Sequence, residues 1–280
     1  MAILLGLLVA ASYGSADFLG GFAAKTSPAG ATVLASQTTG FVIAVPLLLL
    51  FGHGTLTAHD AELSALAGVA GILGVGCLYR GLSVGRMSVV APLSAVGSAC
   101  FEVAWGLARG EHPGTVALVG VALALVAIAV VATTAAEHPT PTVAPVVEFA
   151  LGLSAAIGFG LVFIAFSETG HHTGMWPLVV ARAVPIPLLL IGLRASGHST
   201  RVRRADLRVV IATGVLDVTA NALLLAAVRL DLLSLVAPVA SLYPASTVVL
   251  ARVVLHEQLG RARVIGLLIA VGALSMIAIR

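Results

Sequence analysis

Ten stretches of about twenty mostly apolar residues run through this chain from end to end, each long enough to cross the hydrocarbon core of a bilayer. They cover 2–22, 30–51, 62–80, 87–107, 114–134, 148–167, 174–194, 207–228, 233–255 and 262–280. With every backbone polar group needing a partner in lipid, this pattern predicts an all-α integral membrane protein of ten transmembrane helices. Runs such as GVALALVAIAVVA do not alternate as the strands of a membrane barrel would. The composition agrees: 59% of residues are hydrophobic and 10% charged, against roughly a quarter charged in soluble domains. Met1 is followed directly by Ala2-Ile3-Leu4-Leu5 with no basic residue, so the first stretch reads as a permanent helix and not as a cleaved signal. Cys77 and Cys100 both fall inside apolar stretches and have no metal-type spacing; they read as small apolar fillers.

The formal charge of +3 does not point to a nucleic-acid partner, because the arginines lie mainly between the apolar stretches. Basic residues in short loops mark the cytoplasmic side. Eleven of them, from Lys25 through the RVRRADLR segment at 201–208 to Arg263, follow odd-numbered stretches, Arg80 and Arg86 among them; three, Arg109, Arg229 and Arg280, lie on the other side. Read literally, both termini face outward.

The chain is also duplicated. SVVAPLSAV at 88–96 matches SLVAPVASL at 234–242, with Pro92 and Pro238 146 residues apart. The same shift pairs Gly6 with Gly152, Gly14 with Gly160, Glu111 with Glu257, Gly120 with Gly266 and Ala124 with Ala270. A weaker register of 144 sets AEL at 61 against ADL at 205. Repeats of this kind decide the fold. Each half holds five helices, and because five is odd the second enters the bilayer inverted, the build of secondary transporters whose substrate site lies near the midplane between halves. The expected units are 1–135 and 148–280, joined by a Pro-rich linker at 136–147 in which Pro139, Pro141 and Pro145 cannot continue a helix.

The blocks SVVAPLSAVGSACFEVAWGLARGEHPG at 88–114 and SLVAPVASLYPASTVVLARVVLHEQLG at 234–260, together with SYGSADFLGG near the start, resemble the drug/metabolite transporter superfamily and its EamA-like ten-helix members. The resemblance covers nearly the whole chain in two copies. It implies a multi-pass protein of the cytoplasmic membrane that exports metabolites, with both termini inside and a basic loop between the second and third helices. Here GHGTLTAHDAEL fills that loop and the basic loop lies between the seventh and eighth helices, so the resemblance and the arginine count disagree on orientation.

A charge at mid-membrane costs at least about 2.5–3.5 kcal/mol on insertion scales, so each ionisable residue there calls for a partner, water or a function. Asp217 and Asn221 are four apart on one face of the eighth helix; they read as a proton-binding carboxylate beside a substrate contact, or as a polar pair joining helices. Arg182, central in the seventh helix, either neutralises a carboxylate such as Asp217 or binds an anionic group of the substrate. Pro185 and Pro187 beyond it are expected to kink the helix and free carbonyls toward a cavity. Asp17 and Glu102 are further proton-coupling candidates, each with the plainer reading of reaching interfacial water. Tyr13, Gln37, Trp105 and Tyr243 complete the candidate substrate-facing set; Trp105 and Trp176 also suit interfacial anchors. Glu111 and Glu257 read as caps at helix ends.

These features predict a secondary active transporter moving a small metabolite or drug-like solute by alternating access, through proton coupling or exchange. No GxxxxGK[ST] loop, GxSxG elbow or HExxH motif occurs, and no cofactor, metal site or catalytic residue is expected. A channel or facilitator is the nearest alternative and an intramembrane enzyme a more distant one. The expected partners are the small-molecule substrate and the bilayer, with the protein a monomer or homodimer.

Overall fold

A computed structural model describes residues 2–51, 54–110, 114–134, 143–229, 243–256 and 260–278. The SLVAPVASL segment, Glu111, Glu257 and most of the linker lie outside the described residues. The elements are α1 (Ala2–Ala23), α2 (Ala29–Phe51), α3 (Ala58–Val84), α4 (Met87–Ala108), α5 (Thr115–Thr134), α6 (Pro145–Ser167), α7 (Trp176–Ala183), α8 (Pro185–Ala195), α9 (Leu207–Arg229), α10 (Tyr243–Val254) and α11 (Arg261–Ala278), with a short 3-10 turn at His171–Thr173. Among the described residues there is no strand, and seven helices, counting α7 and α8 as one span, are long and apolar enough to cross a membrane. Apolar side chains such as Leu49, Ile191 and Leu268 are more than 60% exposed, as lipid-facing positions should be. The molecule is a multi-pass, all-helical membrane protein.

Two local features shift the expected helix ends. Thr57 caps α3: its hydroxyl accepts the Asp60 N–H at 3.2 Å and the Asp60 carboxylate accepts the Thr57 N–H at 3.2 Å. This reciprocal capping box starts the helix at Ala58, four residues before the apolar stretch begins. Between α7 and α8, Pro185 has no N–H to give the Ala181 carbonyl, and the helix breaks at Val184. That carbonyl packs against Gly68 of α3, which a Cβ there would strike. The Ala181 carbonyl, expected to face a cavity, meets a neighbouring helix instead.

In lipid, helices associate through close packing and not through burial from water, so small residues govern contact. The α3–α6 crossing brings Gly74 against Gly158, whose added Cβ would lie 2.7 Å from the Gly74 Cα. Ala124 and Ala127 of α5 and Ala270 and Ala273 of α11 are all buried in one seam. The core joins α1, α2, α3, α4, α6 and α10 through Phe18, Val33, Leu78, Val90, Ala155 and Ala251.

Turns at the bundle's ends are tied across the chain. Thr26 and Ser27, between α1 and α2, bond Asp206 before α9. Asp60, opening α3, bonds Gly170 between α6 and α7, and Trp176 Nε1 donates to the Gly54 carbonyl at 3.2 Å. Arg86, counted above among loop charges that set orientation, is 5% exposed and bound to Glu148 of α6 through Nη2 and Oε2 at 2.8 Å. It is a buried structural partner, so its weight in the orientation count is withdrawn.

Candidate functional site

The described centre of the bundle gathers polar side chains from α1, α3, α7, α9 and α10. Arg182 occupies the last turn of the short α7, where its charge is favoured by the helix C-terminus. Its Nη2 donates to Asp217 Oδ2 of α9 at 2.6 Å, with side-chain exposures of 6% and 24%. Nη1 donates to the Leu178 carbonyl at 3.3 Å. Nε is buried, has no acceptor among the described residues, and lies beside Gly40 of α2. The buried guanidinium thus has its charge balanced by one carboxylate while one donor remains unused.

Around this pair stand Tyr13 and Asp17 of α1. Tyr13 lies within electrostatic reach of Asp217, Arg182 and Asp17, and Asp17 within reach of Asp217. Asp17 is half-buried and its chain neighbours Ala16 and Phe18 are each 2% exposed, so it belongs to the interior and not to the lipid face. Tyr243 of α10 meets Tyr13 edge to face with ring centroids 6.1 Å apart. Thr247, one turn on, donates to the Gly14 carbonyl at 3.0 Å. Glycine at position 14 is required here, because a Cβ would strike the Tyr243 carbonyl and Ser246. Glu102 of α4 accepts the Ser98 hydroxyl at 3.0 Å and lies within reach of Tyr243, on the edge of the group.

The remaining candidates stand differently. Asn221 donates its amide to the Asp217 backbone carbonyl at 2.8 Å; it is bound back to its own helix and not to the carboxylate. Gln37 is half-buried on α2, beside Ser36, whose hydroxyl donates to the Val33 carbonyl at 3.1 Å. Trp105 stands apart: it is 43% exposed, with the Arg109 guanidinium 5.9 Å from its ring centroid, and Arg109 in turn pairs with Glu168 at 3.2 Å. That is the setting of an interfacial anchor.

Tyr79 was not singled out from sequence. It is 3% exposed, within reach of Asp17 and Asp217, and packed on Gly20. Its signal was available: a tyrosine on the segment bearing Gly74 and Gly81, facing the Gly20-Gly21 pair of α1. The Arg86–Glu148 pair was missed because a basic residue in a two-residue turn reads as solvent-exposed.

Comparison with known proteins follows this geometry. No curated protein matches the chain. Fourteen chains of solved structures match; one, described only as "Crystal structure of protein", is 13% identical with a TM-score of 0.65, over 98% of this chain and 95% of its own. At that identity the likeness is one of fold. Residues 147–279 match the model of the EamA-like transporter family, so the second half of the chain is similar to that family.

Proposed function

We propose that the protein is a secondary active transporter of the cytoplasmic membrane that moves a small metabolite or drug-like solute outward by alternating access of two inverted five-helix halves. The inverted reading draws support from packing partners that exchange under the 146-residue shift. α1 lies against α9 and α10, as α6 lies against α3 and α4. Gly14 packs on Thr247 and Gly160 on Phe101, and both glycines and both partners are 146 apart. Counting α7 and α8 as one span, five described helices fall in each half, α1 to α5 and α6 to α11.

The observation that carries the transport reading is the Arg182–Asp217 pair, set among Asp17, Tyr13 and Tyr243 where the halves meet. An ion pair at mid-membrane is a poor source of stability, since desolvation offsets its attraction. It is a good switch. Protonating Asp217 removes the counter-charge of Arg182, and an anionic or polar group of the solute then takes the vacated donor alongside the unused Nε. Deprotonation restores the pair and expels the solute, which links proton and solute through occupancy of one site. Asp17, within reach of Asp217, serves as the second proton-bearing carboxylate.

The test is proton flux with solute in liposomes for the protein and its Asp217→Asn variant. Coupled transport in the protein and its loss in the variant is the expected result. Undiminished proton-driven transport by the variant removes Asp217 from the role, and solute flux in the unaltered protein that follows the solute's own gradient and ignores the proton gradient indicates a facilitator.

A further inference from the structure

The two ends of the bundle carry related contacts, each centred on an aspartate at the start of a helix. On one face Asp60, in the first turn of α3, accepts the Gly170 N–H at 2.9 Å through Oδ1, and its Oδ2 lies 3.4 Å from His172 Nε2. On the other face Asp206, at the foot of α9, accepts the Thr26 hydroxyl at 2.7 Å and the Ser27 hydroxyl at 2.6 Å through Oδ2. Ser27 Oγ also accepts the Arg203 N–H at 3.1 Å. Asp60 and Asp206, and Thr26 and His172, are each 146 residues apart, so the Asp206–Thr26 and Asp60–His172 contacts are equivalent, while Ser27 and Gly170 are partners of one aspartate each. This is the register of Pro92 and Pro238. The register of 144, drawn from AEL and ADL, sets Asp206 against Glu62 and does not describe these contacts.

Both contacts cross between the halves. Each ties the start of the third helix of one half to the turn between the first and second helices of the other. Five spans separate the two aspartates in the ten-span reading, so they sit at opposite faces. We infer that Asp60 and Asp206 are paired clamps, each positioning one face of the pathway in its closed state, and that the cycle proceeds by releasing one clamp at a time. This rests on the alternating-access reading above.

Physical chemistry favours a clamp over a permanent staple. A carboxylate bound to hydroxyls or a backbone N–H at a helix foot exchanges those bonds for bonds to water when the turn moves away, so opening leaves no polar group stranded. Equivalent bonds at mid-membrane would have no such substitute. The clamps are also unequal. Asp60 is 3% exposed, and its turn is further held by the Thr55 N–H to the His172 carbonyl at 3.0 Å and by Trp176 on Gly54. Asp206 is half-buried and rests on two hydroxyls and a neighbouring backbone bond. The Asp206 face is therefore the easier to open.

The test uses the full-length protein in nanodiscs without solute, in a Cys77→Ala/Cys100→Ala background. Spin-label pairs across each clamp, Lys25→Cys with Arg204→Cys and His59→Cys with Thr169→Cys, report distances by pulsed electron resonance. Asp206→Ala is expected to lengthen the 25–204 distance by roughly the 5 Å of one helical turn while the 59–169 distance stays short; Asp60→Ala does the reverse. Asp60→Asn, which keeps an acceptor for the Gly170 N–H, retains the short 59–169 distance. Both distances lengthening together, or neither changing in a folded variant, overturns the inference. Should Asp60→Ala fail to fold for want of its capping box, Thr26→Ala/Ser27→Ala removes the partners of Asp206 and leaves both helix starts intact; it must lengthen 25–204 alone. One-sided shifts without any solute transport in liposomes defeat the transporter reading and leave the clamps standing, whereas transport without one-sided shifts does the opposite.

Discussion

Arg182 on α7 holds Asp217 on α9 at 2.6 Å, the arginine 6% and the aspartate 24% exposed. Removing either partner leaves the other charged and unpaired among apolar helices; removing both leaves neither. Arg182→Gln and Asp217→Asn should therefore each lower the unfolding temperature in detergent by more than the double variant does. A coupling energy on the order of 0.5–3 kcal/mol is expected from the cycle. Strict additivity would mean that the two charges are solvated independently, and that the pair is not the switch proposed.

Glycine positions separate close packing from incidental glycine. A Cβ on Gly68 would overlap the Ala181 backbone, while one on Gly192 in α8 meets nothing within 4 Å. Gly68→Ala should destabilise by about 1–3 kcal/mol, because two helix backbones must part to admit a methyl group. Gly192→Ala should be neutral or stabilising by about 0.5–1 kcal/mol, through the reduced freedom of the unfolded chain. Thermal unfolding of the two variants in one detergent checks both signs.

The length of apolar stretches made the helices legible in the sequence, since membrane thickness imposes it directly. Boundaries failed where a side chain overrode hydropathy: Thr57 and Asp60 begin α3 with a polar turn. The joining of Arg182 to Asp217 was readable as one of two alternatives, because a mid-membrane arginine needs an anion and few exist. The inward turn of Asn221 onto its own helix was not readable, since spacing fixes a face and not a hydrogen-bond partner. Neither was the role of Asp60 and Asp206: adjacent AEL and ADL strings suggested a different register, and only contacts with Gly170, His172, Thr26 and Ser27 identify the equivalent pair.

Arg86 and Glu148 bind each other with exposures of 5% and 1%, and the Arg86 N–H also donates to Glu148 Oε1. The pair fixes the α3–α4 turn on the first turn of α6. Glu148→Ala leaves a buried guanidinium and a backbone N–H without acceptors and should cost about 3–5 kcal/mol. Arg86→Met/Glu148→Leu should recover most of that loss, because no charge then remains buried; the backbone N–H accounts for the remainder. Chemical unfolding of both variants decides the matter, and equal losses in the two would show that the backbone bond, not the ion pair, carries the effect.

Asp206 lies outside the spans, and its carboxyl titrates below the usual value of 3.8, chiefly through the Ser27 hydroxyl and then through Thr26 and the Arg203 charge, with partial burial opposing. A folded-state value depressed in this way gives stability that is fully present above the unfolded value and is lost as pH falls through the folded one. The difference in unfolding temperature between the protein and Asp206→Asn should therefore be constant from neutral pH to about pH 5 and shrink below it. Because the same bonds hold the turn between α1 and α2, the 25–204 distance should lengthen over the same acid range in the unaltered protein and remain pH-independent in Asp206→Asn. A difference that widens on acidification would reverse the sign of the linkage and show that Asp206 is held in its neutral form by Thr26 and Ser27.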